Sequence, residues 1–437
     1  MTLAEGFAGG AILGAAAAFL LLTTSEILGC SGIVNSIILT PLATLRNSKQ
    51  YWKYALMASF VPLATFVLVP RFDRLQATIN EKPSVAYAIA GLLVGFGAKL
   101  SNGCTSGHGI CGLGRLSLRS LSAVMVFMMT AIATAMATKN WTRNVNNDTT
   151  FPDLAKYSDP MGWTVSGTVL FLAILAPIVH YFQGNFGNCS GKVLPAFVTG
   201  GLFCYGLYLC GMVDPARIMD FLDLTGFANG SWDPTLMAVM IAGVTVSAIS
   251  YQLVDGWHQL PQARRHSLKK PLSLKEDASF SIPTNYFKID VTLLSGSAVF
   301  GVGWAMTGLC PAPAIFAAAA GSPQVLLLWW PCYLIGAMIA LQVTNVISRR
   351  QEQELQRAYD ATEALDKSEA FTAAKAGSSD TNNSEEEQNN KNAQSSMHAD
   401  AAALQNELRG MDLDDDDDDD DVESPAPPAE PIQESTV

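Results

Sequence analysis

Nine apolar runs long enough, or nearly long enough, to cross a lipid bilayer recur along the chain, at about 7–28, 52–70, 85–101, 119–138, 161–183, 193–212, 233–254, 290–307 and 325–347. A crossing helix needs roughly 20 mainly apolar residues, because the hydrocarbon core is about 30 Å thick and each helical residue advances about 1.5 Å. Backbone N–H and C=O groups find no water at that depth, so each run must satisfy its own hydrogen bonds as a helix. The pattern predicts an all-α polytopic membrane protein of about nine transmembrane helices. With 437 residues, of which only 15% are charged, the chain is too apolar for an ordinary soluble globule. The first run, starting near Phe7, has no basic segment before it and reads as a retained span. Residues 33–45 are apolar but too few to cross, and they read as a re-entrant half helix.

Charge is divided unevenly. The net charge is -12, yet residues 349–437 hold 7 basic and 24 acidic residues, which leaves the first 348 at about +5. A mildly basic membrane body suits the attraction of an anion and contact with anionic lipids, and gives no case for nucleic-acid binding. From Gln351 the chain is rich in Glu, Gln, Asn, Ala and Ser, and it runs through Asp414–Asp421 without interruption. Apart from a short helix expected over Glu352–Lys375, such a tail cannot bury enough apolar surface to offset its ordering entropy. The basic loops Arg46–Lys53, Arg115–Arg119 and Arg264–Lys270, with Arg349 and Arg350, read as cytosolic by the positive-inside rule, and so does the tail. The glycosylation sequons beginning at Asn140, Asn147 and Asn229 then fall on the opposite side.

The most informative comparison is internal. Gly95-Phe96-Gly97-Ala98-Lys99-Leu100-Ser101-Asn102-Gly103-Cys104 and Gly301-Val302-Gly303-Trp304-Ala305-Met306-Thr307-Gly308-Leu309-Cys310 each place two glycines nine and seven residues before a cysteine. Each copy ends an apolar span, and small residues precede the next span, so each reads as a helix, a break and a re-entry. Crossing counts run 85–101 inward and 290–307 outward, which is the geometry of an inverted repeat. Irregular backbone at membrane depth is tolerated only where protein buries it or a polar cavity solvates it, so the breaks mark a candidate pathway. Glycine permits close approach of the backbone to an ion, and helices restarting after each break point positive N-termini at it. A thiol at the apex adds a soft S–H donor and a weak sulfur acceptor, suited to a sulfur-bearing anion.

Candidate translocation residues are therefore Cys104 and Cys310, with Gly103 and Gly308 beside them, and Cys30, which sits in a similar break at Leu28-Gly29-Cys30-Ser31-Gly32. Ser106 and His108 are candidate polar lining groups, and Lys99 is an unusual charge within an apolar span. Cys104, His108 and Cys111 have a C-x3-H-x2-C spacing, but three soft ligands in a Gly-rich turn make a poor zinc site, so Cys111 joins the lining candidates and no metal or cofactor is expected. All eight cysteines lie in apolar or Gly-rich stretches and read mainly as reduced thiols; for Cys189, Cys204, Cys210 and Cys332 packing is the better account.

The stretch Gly95–Ala123, GFGAKLSNGCTSGHGICGLGRLSLRSLSA, closely resembles the signature of the YeeE/YedE family, the sulfur-transport domain proteins. Gly211–Arg217, Phe221–Leu224, Trp232–Pro234, Phe300–Trp304 and Gly308–Ala314 resemble the companion half, often a separate small membrane protein in bacteria. The resemblance runs from about Ala11 to Val346, so the chain looks like a fusion: a first membrane half at 1–145, a second at 160–348, and an acidic tail at 349–437. Membership implies an hourglass-shaped helical protein whose relatives include thiosulfate transporters, with thiosulfate passed along midplane cysteines by S–H to sulfur hydrogen bonds. Cys104 and Cys310 match the family motif directly, and Cys30 matches through a shorter stretch. Pro311-Ala312-Pro313 departs from the pattern, since many relatives carry Gly between the prolines, which stiffens the second break.

The expected function is transport of thiosulfate or a related sulfur anion across the bilayer, with a cytosolic sulfur-acceptor protein as a further expected partner. The alternative is a membrane sulfurtransferase or persulfide carrier using Cys104. A third reading is a scaffold that recruits partners through its tail. No G-x-x-x-x-G-K-[ST] loop is present, which argues against an ATPase.

Overall fold

The computed structural model describes residues 2–47, 49–68, 79, 82–138, 186–254, 268, 270–274, 280, 282, 286–319 and 321–376. These form two compact units, Met1–Val346 and Ile347–Val437. Among the described residues there are helices and one isolated bridge, Val254 with Leu268, and no strand. In chain order they are α1 (Leu3–Thr24), α2 (Cys30–Leu39), α3 (Pro41–Arg46), α4 (Trp52–Leu68), α5 (Ser84–Leu100), a π-helix π1 (Thr105–Gly112) and α6 (Leu118–Thr138). Then follow α7 (Phe186–Leu209), α8 (Pro215–Leu222), α9 (Gly226–Asn229), α10 (Thr235–Gln252), α11 (Val291–Thr307), α12 (Pro311–Ala319), π2 (Val325–Trp329) and α13 (Trp330–Ala376).

The all-α polytopic architecture is as expected, but the count of nine spans is not reached. Among the described residues, six helices are long and apolar enough to cross a membrane, or seven if the bent pair Ser84–Leu100 and Thr105–Gly112 is one span. Two of the nine runs account for the difference between seven and nine. The run at 161–183 lies outside the described residues, as do Asn140, Asn147, Arg264 and the tail from 377. Helix α4 has 17 residues and a proline, Pro62, in its interior. At the second Gly-Cys break the flanking helices form one 29-residue apolar stretch, Val291–Ala319, whereas the first break bends the chain by 43°. The two copies are thus unequal in bend, although each helix restarts directly after its cysteine, at Thr105 and at Pro311, across linkers of four and three residues. The helix expected over Glu352–Lys375 is the continuation of α13 to Ala376.

Membrane helices cannot rely on a hydrophobic drive to associate, because lipid tails are as apolar as leucine, so close packing takes its place. Small residues accordingly face inward. On α6 the buried positions are Ser120, Ala123, Phe127, Ala131 and Ala135, while Leu121, Met125, Met129 and Met136 are exposed. On α1, Gly6, Gly10 and Gly14 repeat every four residues against α10, where an added Cβ at Gly10 would stand 2.7 Å from the Val239 Cα. The glycines of the duplicated motif do the same work. A Cβ at Gly97 would lie 2.7 Å from the Phe300 Cα, one at Gly303 2.9 Å from the Val94 nitrogen, and one at Gly301 2.9 Å from the Phe127 Cα. Helix α11 therefore lies antiparallel to α5 and against α6 at backbone contact. Gly95 approaches Tyr333 on α13 in the same way, at 2.8 Å from its carbonyl carbon. These glycines hold helices together rather than bringing backbone to an ion, which corrects the role that the spacing alone suggested.

Candidate functional site

Each of the three motif cysteines begins a short helix. Cys30 opens α2, after Gly29 accepts the first helical bond from the Ile33 N–H at 3.0 Å. Cys104, in extended backbone, caps π1, and its carbonyl accepts from the His108 N–H at 2.9 Å. Cys310 precedes α12, and its carbonyl accepts from the Ala314 N–H at 3.0 Å. Gly308 makes the second break possible: it ends α11 in the left-handed region at φ 70°, with its N–H donating to the Trp304 carbonyl at 2.8 Å. An added Cβ there would also stand 2.7 Å from the Pro215 carbonyl oxygen, so α8 seats directly on this turn.

All three cysteines line one cavity of about 310 Å³. Residues 105 and 106 tie them together. The Ser106 Oγ accepts the Cys30 N–H at 3.2 Å and lies 3.3 Å from the Cys104 Sγ, and the Thr105 hydroxyl donates to the Cys310 Sγ at 3.7 Å. Elsewhere the wall is apolar and soft, with Met128, Met212, Met237 and Met240 contributing thioethers and Phe127 and Trp304 contributing rings. The seven cysteines with described side chains, these three among them, are free thiols.

The remaining candidates stand outside the wall. His108 is buried, with its Nε2 3.1 Å from the Ser101 carbonyl oxygen and its Nδ1 3.3 Å from the Ser120 Oγ. Gly103 packs under that ring, where a Cβ would meet the His108 Cδ2 at 2.6 Å. The Cys111 thiol donates to the Leu28 carbonyl at 3.5 Å, which pins π1 to the segment before Cys30. Lys99 is half-buried in the last turn of α5. His108, Gly103 and Cys111 brace the segment that carries Cys104; Cys30, Cys104, Ser106 and Cys310 share the cavity. Sequence reasoning passed over Thr105 and Trp304. A hydroxyl next to the motif cysteine was the available signal for the first, and an aromatic within the second Gly-rich copy for the second.

An arrangement of thiols, hydroxyls and thioethers can coordinate a polarisable anion through weak directional hydrogen bonds. Among the described residues, the Cys104 sulfur contacts the Ser106 hydroxyl, and the His108 imidazole bonds the Ser101 carbonyl and the Ser120 hydroxyl.

Residues 4–133 and 43–259 match the family model described as sulphur transport, and 191–354 match a family of unknown function, DUF6691. Among curated relatives, a protein of Xylella fastidiosa strain Temecula1 named "Probable transporter" is 36% identical over 132 residues, 30% of this chain and 77% of that one. Another of the same name from strain 9a5c is 37% identical over 127 residues, 29% of this chain and 88% of that one.

Proposed function

Since the chain belongs to the sulphur-transport family, we propose that this multi-pass membrane transporter moves thiosulfate or a related small sulfur anion by passing it along the thiols of Cys30, Cys104 and Cys310. One observation carries the proposal: cysteines that begin three separate short helices line a single cavity. The positive ends of those helices favour negative charge. Thiols are weak donors and acceptors that suit sulfur and bind strongly hydrated ions poorly, so the cargo is held loosely enough to move on.

The two membrane halves, 1–145 and 160–348, act as an inverted pair, a reading supported by the antiparallel contact of α5 with α11. On this reading the tail from 349 lies in the cytosol, as the charge of the basic loops suggests, and the delivered anion meets a sulfur-acceptor protein there. This passage needs no covalent step on Cys104, whose sulfur contacts the Ser106 hydroxyl at 3.3 Å.

Uptake of radiolabelled thiosulfate by proteoliposomes tests the proposal. Wild-type protein is expected to take it up, and the Cys104→Ala, Cys310→Ala double variant to fall to the level of empty vesicles. Full uptake by the double variant would overturn the thiol relay.

A further inference from the structure

Buried polar groups almost always find a hydrogen-bond partner, so one left without a partner on a cavity-lining residue calls for an explanation. Among the described residues, the hydroxyls of Ser31, Ser297 and Thr307 and the indole nitrogens of Trp304 and Trp329 are buried without a partner. Of these, Trp304 is the one that lines the cavity of the three thiols. Its residue is 2% exposed, and its ring is held from two sides, stacked on Phe300 with centroids 6.4 Å apart and edge-on to Phe127 at 6.1 Å. It stands six residues before Cys310, and its carbonyl anchors the Gly308 turn that presents that thiol.

An indole nitrogen only donates, so its partner must be an acceptor. The wall otherwise offers thiols, hydroxyls and thioethers, which suit the sulfur end of a mixed anion. An oxygen-bearing end carries the stronger acceptors and calls for a stronger donor.

We propose that the Trp304 indole N–H is a specificity-determining donor, which binds the oxygen-bearing end of the cargo and selects sulfur oxyanions over hydrosulfide. The assignment rests on the transport reading for the identity of the cargo. It divides recognition in two: soft thiols read sulfur, and one rigid N–H reads oxygen. Because the ring is already fixed by Phe300 and Phe127, little side-chain entropy is lost when the bond forms.

Nitrogen-15 tryptophan labelling of the full chain in detergent gives a direct test, with the Trp304 indole resonance assigned by its loss in Trp304→Phe. Thiosulfate is expected to move that resonance downfield and saturably, and hydrosulfide is expected not to. Phenylalanine keeps an aromatic ring and removes the donor, so Trp304→Phe should stay folded with a modestly lower melting temperature from the lost volume. Its thiosulfate affinity should fall about tenfold, the loss of one hydrogen bond to a charged acceptor. A resonance that ignores thiosulfate, or answers hydrosulfide equally, overturns the inference. The transport reading fails on a different result, the absence of thiosulfate uptake by wild-type proteoliposomes.

Discussion

At the scale of single residues, Ser106 links more of the site than any cysteine does. Its hydroxyl accepts the Cys30 N–H and contacts the Cys104 sulfur, so one oxygen sets the spacing of two thiols that come from different helices. Ser106→Ala leaves a buried N–H unpaired, which costs about 1–3 kcal/mol. The expected outcome is a lower melting temperature and a several-fold drop in thiosulfate uptake, both restored by Ser106→Thr; unfolding in detergent and proteoliposome uptake measure the two. Cys104 and Cys310 were legible in the sequence because a matched spacing is a property of the chain itself. Ser106 was legible only as a polar neighbour. The role of Thr105, donating to a sulfur 205 residues away, was not legible at all, because it exists only once π1 and the Cys310 turn are brought together.

At the scale of helices, the glycines of the repeat were visible but their purpose was not. Nothing in a local sequence tells a glycine that meets an ion from one that meets another backbone. Gly95 and Gly201 make the distinction testable. A Cβ at Gly95 would overlap the backbone of Tyr333, whereas one at Gly201, in α7, meets nothing within 4 Å. Gly95→Ala should destabilise by at least about 1–3 kcal/mol, the range for overpacking. Gly201→Ala should be neutral or stabilising by up to about 1 kcal/mol, since alanine is the better helix former. Thermal unfolding of the two variants side by side checks both. The short helices were anticipated at 33–45 and at both breaks, but the difference in bend between the breaks was not. It accompanies linkers of four residues at the first break and three at the second.

At the scale of the molecule, the membrane class was written in the apolar runs, and the inward-facing small residues of α1 and α6 follow from the same solvent. The number of crossings was less legible, because hydropathy does not separate a span from a broken pair such as Ser84–Leu100 and Thr105–Gly112. The residues of the cavity all belong to the unit Met1–Val346. Deleting 377–437 should therefore leave thiosulfate uptake within about twofold of wild type, as measured in proteoliposomes at equal protein density; a scaffold that works through its tail would lose function instead.

The contacts of α11 have a mechanical consequence. Gly296, Gly301 and Gly303 fit the backbones of α5 and α6 like teeth in a rack, and a slip of one residue would drive a side chain into a peptide group. If the protein moves during transport, those three helices are expected to do so together, which leaves the short helices next to Cys30, Cys104 and Cys310 as the parts to test for movement.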